Sequence, residues 1–334
     1  MKVAVIGLGY WGPNLVRNLH ATDAAPGVVA CDVDEARVKA VIRQYPGTRG
    51  LTDYADVLSD PAVDAVVIAT PVATHASLSA MALDAGKSVL VEKPLATSET
   101  DARGLVHMAE KRGLLVMAGH TFLYSPPVQA VRRLIEQGEI GEPLYVQSSR
   151  VNLGIHRSDV SVIWDLAPHD LAILQAWLGE FPIKVAAHGR STYGRGPTDV
   201  AFVDLQFPSG CVANLHLSWL APTKIRRMTL VGTRRMVVYE DTKSEEPVKI
   251  YDKGVSVLPD PQDFGEYRLT YRTGDVVAPR VDALEPLRAE LEEFLARVAR
   301  GETPDDREDA AVSVVATLER AERSLAEQGL PIAV

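Results

Sequence analysis

An apolar run, Lys2–Gly7, ends in Gly7-x-Gly9-x-x-Gly12 and passes directly into a helical pattern that reaches about His20. The first glycine of such a motif permits the tight strand-to-helix turn. The second lets the backbone approach a pyrophosphate, and the third allows helix to pack closely on strand. The helix then presents free amides and the positive end of its dipole to the anion. Asp32 stands 20 positions beyond the third glycine, at the end of a second apolar run, Val28–Asp32. This context distinguishes a dinucleotide turn from glycines that only build a bend. Asp32 suits the adenosine ribose hydroxyls and repels a 2′-phosphate, which favours NAD, while Arg37 keeps NADP open. Asp34 reads as the cap of the following helix, Glu35–Gln44.

Further short apolar runs follow at Ala65–Ala69, Ser88–Val91 and Leu114–Ala118, separated by helical patterns. Nearly continuous apolar strands of this kind need cover on both faces, so residues 1–120 are expected to form a doubly wound parallel sheet. Residues 121–334 read differently. The pattern predicts a helix over Pro126–Gln137, a strand over Pro143–Val151 and a helix over Asp165–Leu178 capped by Asp165, with Pro168 in its first turn and Gly179 at its end. Ala201–Phe207 and Val212–Trp219 flank Pro208-Ser209-Gly210 as a hairpin, and Ile225–Glu240 and Val248–Val257 read as further strands. Ala213, Leu215, Leu217 and Trp219 alternate with Asn214, His216 and Ser218, which implies an open, mostly antiparallel sheet with one polar face. Amphipathic helices are expected from Glu285 to about Arg300 and from about Asp306 to Gln328. The fold class is therefore α/β, with a Rossmann domain followed by a second α/β domain.

The chemistry-bearing residues lie at strand ends and on one helix face. Glu92-Lys93-Pro94 follows the Ser88–Val91 strand, at the carboxyl end where ligand crevices form. Proline restricts the backbone of the residue before it, and so holds Lys93 in a defined direction. Ala69-Thr70-Pro71 closes an earlier strand, with His75 in the loop beyond. Thr70, Pro71 and His75 are candidates for the nicotinamide half of the cofactor, although His75 serves equally well as a helix cap or surface residue. Asp165 lies 72 residues after Lys93, and His169 follows it by four, so on a helix the two share a face. Oxidising a carbinol requires a hydride acceptor and a base. Histidine suits the second task near neutral pH, with Asp165 to orient it or to bind a hydroxyl. Lys93 can stabilise alkoxide character. Asp170 points elsewhere on the helix and reads as a structural partner. A metal site is disfavoured because no further imidazole or thiolate stands at fitting spacing.

The net charge of −9, with no basic stripe, argues against nucleic acid as a partner. Cys31 and Cys211 belong to no metal or redox motif and read as reduced packing residues. The longest uncharged stretch, Ala65 to Leu83, contains too many polar residues for a membrane span, and Met1-Lys2-Val3 opens straight into a strand without room for a signal peptide. A cytoplasmic protein is expected.

Gly7-Leu8-Gly9-Tyr10-Trp11-Gly12, Ala69-Thr70-Pro71, Glu92-Lys93-Pro94 and Trp164-Asp165-Leu166-Ala167-Pro168-His169-Asp170 together resemble the glucose–fructose oxidoreductase/inositol dehydrogenase (Gfo/Idh/MocA) superfamily. The resemblance implies a homodimer or homotetramer that acts on a sugar, nucleotide-linked sugar or cyclitol, with Lys93, Asp165 and His169 as the catalytic positions. Gly7, Gly9, Tyr10, Trp11, Gly12, Asp32, Thr70, Pro71, His75, Glu92 and Lys93 are then the expected cofactor residues. Tyr10 and Trp11 would serve equally well to pack the first helix. Asn152-Leu153-Gly154 and Arg157-Ser158-Asp159-Val160 are similar to members that act on nucleotide sugars at the 3-position, which makes Asn152 and Arg157 candidate substrate contacts beside Asp165 and His169. Many relatives place an asparagine and an arginine where this chain has Gly119-His120-Thr121-Phe122-Leu123-Tyr124, and this departure makes Tyr124 a candidate. Free sugars, cyclitols and aminoglycosides, a glycosidase that removes hydride at C3, and a cofactor-bound sensor without turnover are the competing readings.

Overall fold

The structure is a computed structural model. It describes residues 1–25, 27–154, 156–192, 194, 196–257 and 269–334, apart from the side chains of 256, 257 and 269. The chain divides into two compact units, one of Met1–Tyr124 with Leu284–Glu319 and one of Ser125–Ala283 with Arg320–Val334.

The first unit is built on β1 (Lys2–Ile6), α1 (Gly12–His20), β2 (Gly27–Cys31), α2 (Glu35–Gln44), β3 (Arg49–Leu51), α3 (Tyr54–Ser59), β4 (Ala65–Ile68), α4 (His75–Asp84), β5 (Ser88–Glu92), α5 (Glu99–Arg112) and β6 (Val116–Gly119). Its six strands are all parallel, in the order β3-β2-β1-β4-β5-β6. The sequence order reverses beside β1, so the carboxyl ends of β1 and β4 flank the switch point where such sheets take ligands. Strand β4 is buried at every position and β1 at all but Lys2. Sandwiching on both faces demands this, and it is why the runs read as continuous rather than alternating. The short β3 and α3 were not anticipated from the sequence.

The second unit contains α6 (Pro126–Glu136), β7 (Pro143–Val151), α7 (Val162–Leu178), β8 (Lys184–Arg190), β9 (Val200–Gln206), β10 (Val212–Ser218), β11 (Ile225–Gly232), β12 (Met236–Glu240), β13 (Val248–Val257) and β14 (Leu269–Val277). After α8 (Pro286–Ala299), α9 (Asp306–Ala326) leads to a last short strand, β15 (Ile332–Ala333). The sheet order is β14-β13-β12-β11-β7-β10-β9-β8-β15, and among its described pairs only β7 with β10 is parallel. Along β10 the odd positions Ala213, Leu215 and Leu217 are buried, with α7 packed against the strand. On the opposite face Phe202 stacks on His216 with centroids 4.6 Å apart, and Asn214 donates to Asp204 at 2.8 Å.

Several expectations are corrected. Helix α7 starts at Val162 and is capped by Ser161, whose hydroxyl accepts from the Trp164 amide, so Asp165 lies in its first turn and Pro168 inside the helix. The run Ile225–Glu240 is two strands, because Gly232 closes a turn by donating to the Arg235 carbonyl at 3.0 Å. Strands β8, β14 and β15 went unread. The segment Leu284–Glu319, assigned above to the second domain, belongs to the first unit, where Leu287, Leu291, Phe294 and Leu295 join the core of Val3, Leu15, Leu19 and Leu115.

Candidate functional site

At the carboxyl end of β1, Gly7 takes φ +90°, and a Cβ there would lie 2.7 Å from the Ala69 carbonyl oxygen and 2.8 Å from the Thr70 methyl. Gly12 admits no Cβ either, because it would collide with the Gly7 carbonyl. A Cβ on Gly9, by contrast, would meet nothing within 4 Å, which leaves the open approach that a pyrophosphate needs at a helix N-terminus. Tyr10 and Trp11 are 84% and 45% exposed, edge-to-face with centroids 5.4 Å apart. They project from the turn instead of packing the first helix.

Asp32 closes the turn from below. Its carboxylate accepts from the Leu8 amide at 2.6 Å and the Asp34 amide at 2.9 Å, and the Arg37 guanidinium stands 3.6 Å away. Asp34 caps α2 by accepting from Ala36 at 2.9 Å, as its sequence context indicated. The residues present fit a dinucleotide: an open glycine face, a helix N-terminus and a carboxylate at the end of β2.

Thr70 and Pro71 follow β4. The Thr70 and Thr74 hydroxyls lie 2.7 Å apart, and Thr74 donates to the Pro71 carbonyl at 2.7 Å. His75 is placed differently from the expected cofactor contact. It is 1% exposed, with Nδ1 2.8 Å from the Pro94 carbonyl and Nε2 2.9 Å from the Thr70 carbonyl, so its ring faces protein on both edges. Burial, chiefly, lowers its proton affinity.

Lys93 follows β5, and its peptide bond to Pro94 is cis. Burial pushes the neighbouring Glu92 carboxyl up to about 7, against the pull of the Lys93 charge. Burial and then the Lys93 charge hold His120 down, at about 4. Glu290, carried in by α8, is fully buried. One of its oxygens accepts from the Thr121 hydroxyl at 2.8 Å, and burial followed by the Glu92 charge raises it well above the carboxylate range. Tyr124 packs partly buried against the core of this unit. Burial, and next the charge of Glu290, keep its phenol protonated. The sequence pointed to neither His120 nor Glu290. His120 carries no motif of its own, and Glu290 lies some 200 residues from the strand end it reaches.

In the second unit Asp165 and His169 lie on α7, both partly exposed. Asp165 Oδ2 accepts from the Trp219 indole at 3.0 Å, and Oδ1 accepts from Arg157 at 3.3 Å. Trp219, immediately after β10, is thus a carboxylate-orienting group; from its alternation it read only as packing. Arg157 also forks onto Asp159 at 2.6 and 2.9 Å. Asn152 ties its loop to β10 through its own backbone, donating to the Ser218 carbonyl at 3.1 Å and accepting from the Ala221 amide at 3.3 Å. Ile155, in the same loop, lies outside the described residues. Arg150, the other guanidinium close to this loop in sequence, is 4% exposed and bound to the fully buried Asp170 at 2.6 and 2.8 Å, with Ser148 donating to the other Asp170 oxygen at 2.9 Å. Asp170 is the structural partner its helix position suggested.

Among the described residues no group of three or more His, Cys, Asp or Glu side chains is arranged to hold a metal ion, and no helix is long and apolar enough to cross a membrane. Burial pushes the thiols of Cys31 and Cys211 up to about 11, which keeps both protonated.

Residues 1–120 match the model of the oxidoreductase family with an NAD-binding Rossmann fold (Gfo/Idh/MocA), and residues 128–238 match the C-terminal domain model of the same family. The chain belongs to the Gfo/Idh/MocA family. Like other Gfo/Idh/MocA proteins it is an NAD-dependent oxidoreductase. It is 27% identical to scyllo-inositol 2-dehydrogenase (NAD(+)) of Bacillus subtilis over 276 residues, 78% of this chain and 80% of that protein. It is 29% identical to UDP-N-acetylglucosamine 3-dehydrogenase of Acidithiobacillus ferrooxidans over 301 residues, 90% and 89% of the two chains. Among solved structures it is similar to GenD2 from gentamicin A biosynthesis in complex with NAD, with a TM-score of 0.82 and 26% identity, covering 100% of this chain and 96% of that one.

Proposed function

We propose that this Gfo/Idh/MocA protein transfers hydride between NAD and a secondary alcohol or ketone of a sugar, taken as a nucleotide-linked sugar and reacting at C3. The carrying observation is the placement of Asp165 and His169 on one face of α7, with the carboxylate held by an indole and a guanidinium. Similarity to a UDP-sugar 3-dehydrogenase along 90% of the chain supports the choice of substrate. Bound NAD supplies the hydride acceptor. The glycine turn and Asp32 hold it, with Thr70, Pro71 and Glu92 lining the strand ends beyond.

The remaining roles belong to side chains. His169 exchanges the hydroxyl proton near neutral pH. Asp165, fixed by Trp219, keeps its orientation toward a sugar hydroxyl. Lys93 stabilises negative charge on the reacting oxygen. Asn152, Arg157 and Tyr124 contact the remainder of the sugar.

A second reading has an observation of its own. Arg150 is spent on Asp170, and Arg157 is compensated by Asp159 and Asp165. A diphosphate would compete with those carboxylates for the same guanidinium, whereas an uncharged cyclitol or an aminoglycoside would not. Absorbance at 340 nm with NAD, against UDP-sugars, inositols, free sugars and aminoglycosides, separates the two. Reduction with UDP-sugars alone supports the first reading, and reduction with uncharged or cationic polyols alone replaces it with the second. His169→Ala and Lys93→Ala are each expected to lower kcat by at least a hundredfold with NAD affinity nearly unchanged. Full turnover in both would sink the site assignment.

A further inference from the structure

We propose that His75 is the positioning residue for Lys93, acting through the carbonyl of Pro94. The proposal rests on the reading of Lys93 as a reacting-site residue. Lys93 is one link between two fixed points. On its amino side Glu92 is the last residue of β5, in register with Gly119 of β6. On its carboxyl side the Pro94 oxygen lies 2.8 Å from His75 Nδ1. The ladder and the imidazole together fix the backbone from which the lysine side chain starts.

His75 is itself well anchored. It opens α4, its own carbonyl accepts from the Ser79 hydroxyl at 2.6 Å, and its ring is 1% exposed. The other ring nitrogen stands 2.9 Å from the Thr70 carbonyl, and the Thr70 methyl is among the atoms nearest Gly7 in the glycine turn. One ring therefore joins the loops that follow β4 and β5. A neutral imidazole has a single N–H to donate, so the two carbonyls compete for it. Burial, chiefly, favours that neutral form against the opposing pull of the Pro94 and Thr70 carbonyls, and the Lys93 charge and the positive end of α4 act in the same sense as burial. The two edges of the ring can then be tested separately.

Asparagine places its amide nitrogen where Nδ1 stands, and glutamine places it where Nε2 stands. His75→Asn keeps the donor to Pro94; His75→Gln keeps the donor to Thr70; His75→Leu keeps neither. The experiment is hydrogen exchange of the 92–97 segment in the NAD-bound full-length protein, read beside the melting temperature. Exchange there is expected to quicken by about tenfold or more in the Leu and Gln variants and to stay near wild type in Asn. Turnover should follow the same order, falling about 10- to 100-fold in Leu and Gln, since a misplacement near 1 Å is worth that much. Unchanged exchange at 92–97 in folded Leu and Gln variants would overturn the proposal, as would an Asn variant no better than Leu. A purely structural histidine would lower the melting temperature of all three without that order. Lys93→Met, assayed alongside, keeps the two failures apart. If it retains turnover, the lysine reading falls; if it is inactive while the Leu and Gln variants match wild type, only the role of His75 falls.

Discussion

His120 is 6% exposed, and neither of its ring nitrogens has a hydrogen-bond partner among the described residues. With its pKa held down to about 4 from an ordinary 6.5, the native ring refuses a proton that the unfolded chain accepts. Its contribution is complete above pH 6.5 and is lost as pH falls toward 4, and it amounts to about 3 kcal/mol at most. Glu92 works in the other direction. Raised from 4.5 to about 7, it keeps a proton in the native state that the unfolded chain releases, so its contribution is complete below 4.5 and lost as pH rises through 7. Glu290 shares that sign. Between pH 4.5 and 6.5 the imidazole and the carboxyls therefore oppose one another. Urea unfolding at pH 4.5, 6 and 8 should show His120→Asn losing less stability than wild type on acidification, and Glu92→Gln losing less on alkalinisation. Curves parallel to wild type would remove this account. Lys93 and Asp32 could be singled out, and their places at strand ends read, because a motif or an apolar run precedes each. The polar cluster around Lys93 was not, because its members meet only through tertiary packing.

Helix α7 holds the Asp165–His169 pair, and the buried Arg150–Asp170–Ser148 cluster ties the helix to β7. Removing one partner of such a pair strands the other charge in a dry interior, a larger penalty than the pair's own net worth. Asp170→Ala should cost about 3–5 kcal/mol. A paired Arg150→Met, Asp170→Leu replacement should recover much of that loss in chemical denaturation. An Asp170→Ala variant as stable as wild type would show that Arg150 finds another acceptor. At this scale the sequence was read well where periodicity was unbroken, as in α2, α6 and β9–β10. It was misread where two signals competed. Asp165 ahead of Pro168 outweighed the quieter Ser161 cap, and Gly232-Thr233-Arg234-Arg235 was absorbed into a single apolar run. Strands β8 and β14 escaped because their alternation is diluted by Gly189 and by Gly274 with its charged neighbours.

The first unit needs residues from both ends of the chain. Phe294 and Leu291 of α8 are fully buried in a core shared with β1, β2, β4, β5, β6, α1 and α2, and Glu285 just before α8 accepts from Arg17 and Asn18 on α1. The exposed Arg17–Glu285 pair contributes little, so the apolar face carries this attachment. Phe294→Ala should cost about 3–5 kcal/mol and lower the stability of the NAD-binding unit, as measured by chemical denaturation with and without NAD. A smaller loss than 1 kcal/mol would mean that α8 is dispensable to that core. The amphipathic pattern of α8 was plain in the sequence, but nothing in the pattern said which unit it would serve, because an apolar stripe does not name its partner. The same connectivity has a consequence during synthesis. The glycine turn leaves the ribosome early, yet the sheet behind it lacks its closing helices until Glu319 has been translated, roughly 195 residues after Tyr124. At ordinary elongation rates that interval lasts on the order of 10–40 s. The nascent nucleotide-binding half must spend it with a bare apolar flank.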